Sequence, residues 1–157
     1  MAQFGVTVNA TSNTTANTED TFLELAAAAN KLIKIKRIRI GFGNGTQTAG
    51  VDNHFRVRIV RKSAAGATGV GSTEVARDPT GVATATVATE KNGTTAFSVG
   101  TVSDVIDQIA PNGRMLYEFI ARDEDDKIVS TAGGILGILI QSPVVSQTFQ
   151  VTCDWQE

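Results

Sequence analysis

One histidine and one cysteine occur in 157 residues, which removes most of the chemistry a site could be built from. A zinc or copper cage needs several convergent imidazole or thiolate ligands, and neither such a cage nor a cupin-type ligand set can be assembled from His54 and Cys153. A Ser/His/Asp triad would rest wholly on His54, with no nucleophile-elbow motif beside it. Cys153 cannot form an internal disulfide and reads as a small buried hydrophobe. His54, on the polar phase of its segment, reads as a surface residue at a strand edge. The run Asp123, Glu124, Asp125, Asp126 offers hard oxygen ligands of the kind calcium takes, but lacks the spacing and glycine of an EF-hand loop and is expected to be a solvated hairpin turn. Gly41, Gly43 and Gly45 have no Gly-x-Gly-x-x-Gly spacing and no following helix, so they read as a turn and not as a phosphate cradle. No catalytic residue, cofactor or metal is expected. Only a carboxylate-pair hydrolase stays open among enzyme classes.

Charge is the more informative polar feature. Between residues 31 and 62 stand nine basic residues against Asp52 alone, a net of +8 in a chain that nets −2. Lys34, Lys36, Arg37, Arg39, Arg56 and Arg58 are the candidate partner-binding residues. Nucleic acid is not the expected partner, because only Phe42 and Phe55 interleave with these bases and the pI is about 5.4. Pairing between subunits and docking onto an acidic protein surface are the two binding readings, set against an ordinary solvated sheet face.

Strands must carry these residues. Thr, Val, Ala and Gly dominate, with 19% charged and 6% aromatic residues, a composition suited to pleated surfaces and turns. Residues 2–10 alternate, with Phe4, Val6 and Val8 on one face, and the alternation returns in Phe149, Val151, Cys153 and Trp155. Between residues 32 and 40 the apolar phase moves from Ile33 and Ile35 to Ile38 and Ile40, which predicts a β-bulge near Lys36 and Arg37. Phe55, Val57 and Ile59 point inward, with Arg56 and Arg58 outward. Residues 63–72 (SAAGATGVGS) read as a mobile surface loop. Weaker strands are expected at 83–89 and 96–101, a stronger one at 115–122 with Tyr117 and Phe119 on one face, and another from about 128 to 141. Its Ile135, Leu136, Ile138, Leu139 and Ile140 leave no polar face, as for a strand covered on both sides. Residues 18–30 have the composition of a helix but fit equally a strand that ends in the alanine run. Residues 102–110 read as a helical turn or two.

The class that follows is all-β: one antiparallel two-sheet sandwich over residues 1–157, jelly-roll-like, with at most one or two short helices. The 41% hydrophobic content suffices for one core. The first residues lack a basic start and an apolar run of signal length, and the longest apolar stretch falls far short of the ~20 residues a membrane helix needs. The chain is expected to fold in a cytoplasm, away from any membrane.

The order EDTFLELAAAANKLIKIKRIRIGFG, then FRVRIVR with its Gly/Ser/Ala loop, then GGILGILIQSPVVSQTFQVTCDWQE resembles a group of small structural proteins of tailed phages. Their members open with "LFEL", continue in an alternating I-x-I-x-x-I-R-I strand and end in a strand finishing on Trp or an acid. Similar proteins include jelly-roll cement, or decoration, proteins. The resemblance implies a homotrimer, made in the cytoplasm of a host bacterium, on the outside of the virion. There it would clamp adjacent major capsid protein subunits against internal pressure. It carries over no catalytic residue. The basic strand at 32–40 and the acidic run at 123–126 depart from that pattern. The alternative is a carbohydrate- or receptor-binding sandwich of a phage fibre or tail, against which stands the placement of Trp155, Tyr117 and most Phe residues on core faces.

Overall fold

A computed structural model describes residues 2–11, 15–42, 54–77, 88–91, 97–113, 116–143 and 147–157. Alternating side chains dictate its two ends. In β1 (Gln3–Thr11) and β12 (Thr148–Gln156) the apolar phases coincide, so that Phe4 faces Trp155, Val6 faces Cys153, Val8 faces Val151 and Ala10 faces Phe149, all buried. On the other side of the same pair Thr7 meets Thr152 and Thr11 meets Thr148, hydroxyl to hydroxyl, at 3.1 and 3.2 Å. Cross-strand pairs of this kind fix a register, since a slip of one residue would turn every apolar side chain outward.

The other long strands are β2 (Glu19–Ala26), β3 (Lys34–Phe42), β4 (Arg56–Ala64), β8 (Thr101–Ile109) and β11 (Ile135–Gln141). Shorter ones are β5 (Val70–Gly71), β6 (Val75–Ala76), β7 (Ala88–Lys91), β9 (Tyr117–Ile120) and β10 (Ile128–Val129). They form two antiparallel sheets. The first runs β10-β3-β12-β1-β6, with β9 beside β10 on the same edge of β3, and the second runs β5-β7-β2-β11-β4-β8. Strands β1 to β4 alternate between the sheets, and the late strands β12 and β11 then supply a central strand to each. The inner faces share one core, in which Phe22 from β2 and Phe55 just before β4 each meet Phe149 edge-on at 5.1 Å between ring centres. The all-β sandwich is thus the observed class, and no helix occurs among the described residues.

The bulge falls on Lys36: Asp154 faces Arg37 while its neighbour Trp155 faces Ile35, so Lys36 is the extra residue. Ile33, Ile35, Ile38 and Ile40 are all buried as a result. Strand β11 is central, between β2 and β4, and buried from Leu136 to Ile140. Residues 18–30 hold strand β2, which stops at Ala26; burying six consecutive residues against both neighbours outweighs the helical propensity of the segment.

Other expectations are corrected. Residues 102–110 are not helical turns but most of edge strand β8, held by β4 through three register shifts; its sequence shows no alternation because almost nothing on it is buried. The strand awaited at 96–101 starts only at Thr101, and residues 97–100 are irregular. The single strand awaited from 128 to 141 is two strands in different sheets. The chain turns between them at Gly133, whose φ is +65°, and at Gly134, where a side chain would lie 2.8 Å from the Thr131 carbonyl. Residues 63–72 are a loop only in part, since β4 extends to Ala64 and β5 pairs with β7. Gly41 and Phe42 close β3 rather than open a turn, and 43–45 lie outside the described residues, as does most of the strand awaited at 83–89. The acidic run is solvated, with Asp123 Oδ1 accepting the amides of Asp125 and Asp126, but it is no hairpin. Strands β9 and β10 lie along one edge of β3, and residues 121–127 are an excursion between them.

Candidate functional site

The sequence gathers its bases between residues 31 and 62, and the fold divides them. Lys34, Lys36, Arg37 and Arg39 project from the outer face of the β3 sheet, Arg56 and Arg58 from the outer face of the β4 sheet. The inner faces pack on one core, so these outer faces look in opposite directions. Most of the charges are also answered from within. Arg39 pairs with Glu118, Lys34 lies 3.7 Å from Glu124, and Arg56 and Arg58 share Glu19 at 3.4 and 2.5 Å. Arg56 Nε is buried with no hydrogen-bond partner among the described residues. The six candidate residues therefore do not form one basic patch.

What the fold does build is a cleft of about 370 Å³ on the outer face of the β3 sheet, around Asp154. Arg37 donates to Asp154 Oδ2 through Nε at 2.7 Å, and Arg77 donates to Oδ1 through Nε at 2.8 Å. One carboxylate thus holds two guanidinium groups. Arg77 is carried there by the pairing of β6 on β1, fixed by its amide on the Gln3 carbonyl at 2.8 Å. Gly5, opposite Asp154 in the ladder, leaves the space: a Cβ there would collide with Arg77 and with Asp154. Lys36 enters from the bulge, whose carbonyl accepts the Ala121 amide at 2.8 Å. It makes no ion pair among the described residues. Ile120, 55% exposed, adds an apolar wall, and Phe4 and Trp155 lie beneath. Three cations against one carboxylate leave this cleft at +2. Sequence reasoning named Lys36 and Arg37 among the partner-binding candidates without foreseeing this cleft, and it missed Arg77 and Asp154. The polar phase of β12 marked Asp154 as outward-facing, whereas nothing local marks Arg77.

A second polar cluster lies on the outer face of the β4 sheet and is closed. Lys62 Nζ donates to Glu24 Oε2 at 2.6 Å and to Thr21 Oγ1 at 2.9 Å, with side chains 0% and 2% exposed for the lysine and glutamate. The Gly66 amide reaches the same carboxylate, and the Phe97 ring covers the ammonium at 5.5 Å. Gly137 lets the lysine lie across β11, since a Cβ there would stand 2.6 Å from Lys62 Cε.

His54 forms a bridge with Asn112 and is exposed, its ring nitrogen 3.4 Å from the Ala110 carbonyl. Cys153 is fully buried, and burial pushes its thiol well above the ordinary range. No three His, Cys, Asp or Glu side chains among the described residues converge as metal ligands do. No aromatic side chain among those described is exposed: Trp155 and the phenylalanines of the core are buried, and Tyr117 and Phe119 are half-buried against them. No helix among the described residues is long and apolar enough to cross a membrane. In comparisons with known proteins, no family model, no curated protein and no solved structure matches this chain.

Proposed function

We propose that the chain is a non-enzymatic virion structural protein, a trimeric capsid cement or decoration protein that binds the major capsid protein and stabilises the icosahedral head from outside. Support comes from the resemblance of its strand sequences to those of such proteins, and from one feature of the fold. Among the described residues the nine-residue edge strand β8 pairs with β4 alone, with Val105 41% exposed. Open strands invite pairing with another chain. The register shifts and the acids Asp104 and Asp107 on β8 restrict which chain can add, and that selectivity suits a protein that assembles with few partners.

Size-exclusion chromatography with light scattering tests the reading first. A mass of three subunits is the expected result, followed by saturable attachment of the trimer to capsids that lack it. A chain that stays monomeric at micromolar concentration and leaves such capsids bare would overturn it.

A further inference from the structure

We propose that the cleft around Asp154 binds an extended acidic peptide segment, one that places carboxylates on Lys36, Arg37 and Arg77 and an apolar side chain against Ile120. This goes beyond capsid attachment and does not depend on it.

Charge supplies the first argument. The cleft holds a net +2 in a chain whose overall charge is −2, so an anion is drawn to this place and long nucleic acid is not drawn to the molecule. Asp154 orients the two guanidinium groups without saturating them. Each has five N–H donors in a planar fork, and Asp154 engages only part of each fork. Lys36 stands at the bulge with three donors and no ion pair among the described residues. Bulges commonly re-aim a side chain beside a site, and here the excursion at residues 121–127 pins the bulge through Ala121.

Size and shape supply the second. The lining reaches from Ile120 on β9 across β3 and β12 to β1, three strand spacings of about 4.8 Å or roughly 14 Å in all. An extended chain rises about 3.4 Å per residue, so four residues cover that span. A volume of 370 Å³ holds about a dozen waters at ~30 Å³ each, far more than one small oxyanion displaces. The exposed Ile120 wall would be idle against phosphate but shields an apolar side chain well. Carboxylates at alternate positions of an extended peptide point to one face, toward the cations.

Trp155 is the chain's single tryptophan and lies under the cleft, so its fluorescence reports occupancy. The full-length protein is titrated at low salt with a tetrapeptide of glutamates around one leucine, in parallel with inorganic phosphate and with an all-lysine peptide. The expected result is a saturable change with the acidic peptide alone, weakening as salt is added. Lys36→Gln, which breaks no ion pair among the described residues, should weaken binding about fivefold, the upper range for an accessible ion pair. Lys31→Gln, outside the cleft, should leave it unchanged. Saturation by phosphate without the peptide, peptide binding indifferent to Lys36→Gln, or no change in either fluorescence or backbone amide shifts would each overturn the inference. A protein that still trimerises and decorates capsids while failing this titration loses the peptide site and keeps the reading above.

Discussion

Lys62 looks in the sequence like any other base of a positively charged strand, yet of the bases on β4 it is the one this fold encloses. Its partner Glu24 and its cover, residues 97–100 with Phe97, come from distant parts of the chain, so no local pattern could have distinguished it from Arg58 or Arg61. Removing one member of a buried pair strands the other, a loss of about 3–5 kcal/mol. Lys62→Met should therefore lower the urea-unfolding free energy by that order, whereas Lys62→Met with Glu24→Leu should recover most of the loss. Equal destabilisation by the single and double variants would show that packing, and not the stranded charge, sets the effect. Cys153 gives a second residue-scale expectation. Burial keeps its thiol protonated in the folded chain, while the unfolded chain releases that proton at about pH 8.5. The folded pKa is the raised one, so the contribution is complete below about pH 8.5 and falls as pH rises, by roughly 1.4 kcal/mol per pH unit. Burial and then Asp107 raise the Tyr117 phenol in the same sense, with an onset near pH 10. The urea midpoint should drop between about pH 7 and about pH 10, and less steeply in Cys153→Ala. A flat profile would contradict the sign.

Elements were legible where burial is one-sided. Alternation gave β1 and β12 residue by residue, and the phase change in β3 gave the bulge, because a strand with one wet face must write its geometry into its sequence. Strands without that asymmetry stayed hidden. In β2 nearly every residue is buried, so composition pointed as much to helix as to strand, and in β8 almost nothing is buried. The bulge makes an element-scale prediction. Deleting Lys36, the extra residue, would leave Ile35 opposite Trp155 and Arg37 opposite Asp154 in a regular ladder, with the apolar phase unbroken from Ile33 to Ile40. The deletion should therefore cost far less stability than deleting Arg39, which would throw Ile38 and the apolar residues before it out of phase with Ile40. Urea denaturation of the two variants checks this; equal loss would mean that the phase of the apolar residues does not set the effect.

At the scale of the whole molecule, the sequence allowed a two-sheet sandwich but left strand order open, and strand order decides what the basic residues do. It puts them on opposite faces, supplies most with acids from other strands, and brings Arg77 and Asp154 together with Lys36 and Arg37. The same order has a consequence in time. Strands β11 and β12 follow all the others in the chain, yet they stand between β2 and β4 and between β1 and β3. A ribosome that has produced everything up to residue 134 has therefore made two sheets without their central strands, and the pairing of Gln3 with Gln156 must close nearly the whole chain into one loop. Folding is expected to be slow for the chain's size, on the order of milliseconds to seconds, as for other non-local β topologies. Nascent chains stalled before β11 has emerged should be digested by protease, and protection should appear only when β12 has cleared the exit tunnel. Until then the edges of β2 and β4 that receive β11, and of β1 and β3 that receive β12, wait unpaired, so the cell that makes this protein must guard the chain until both late strands have emerged.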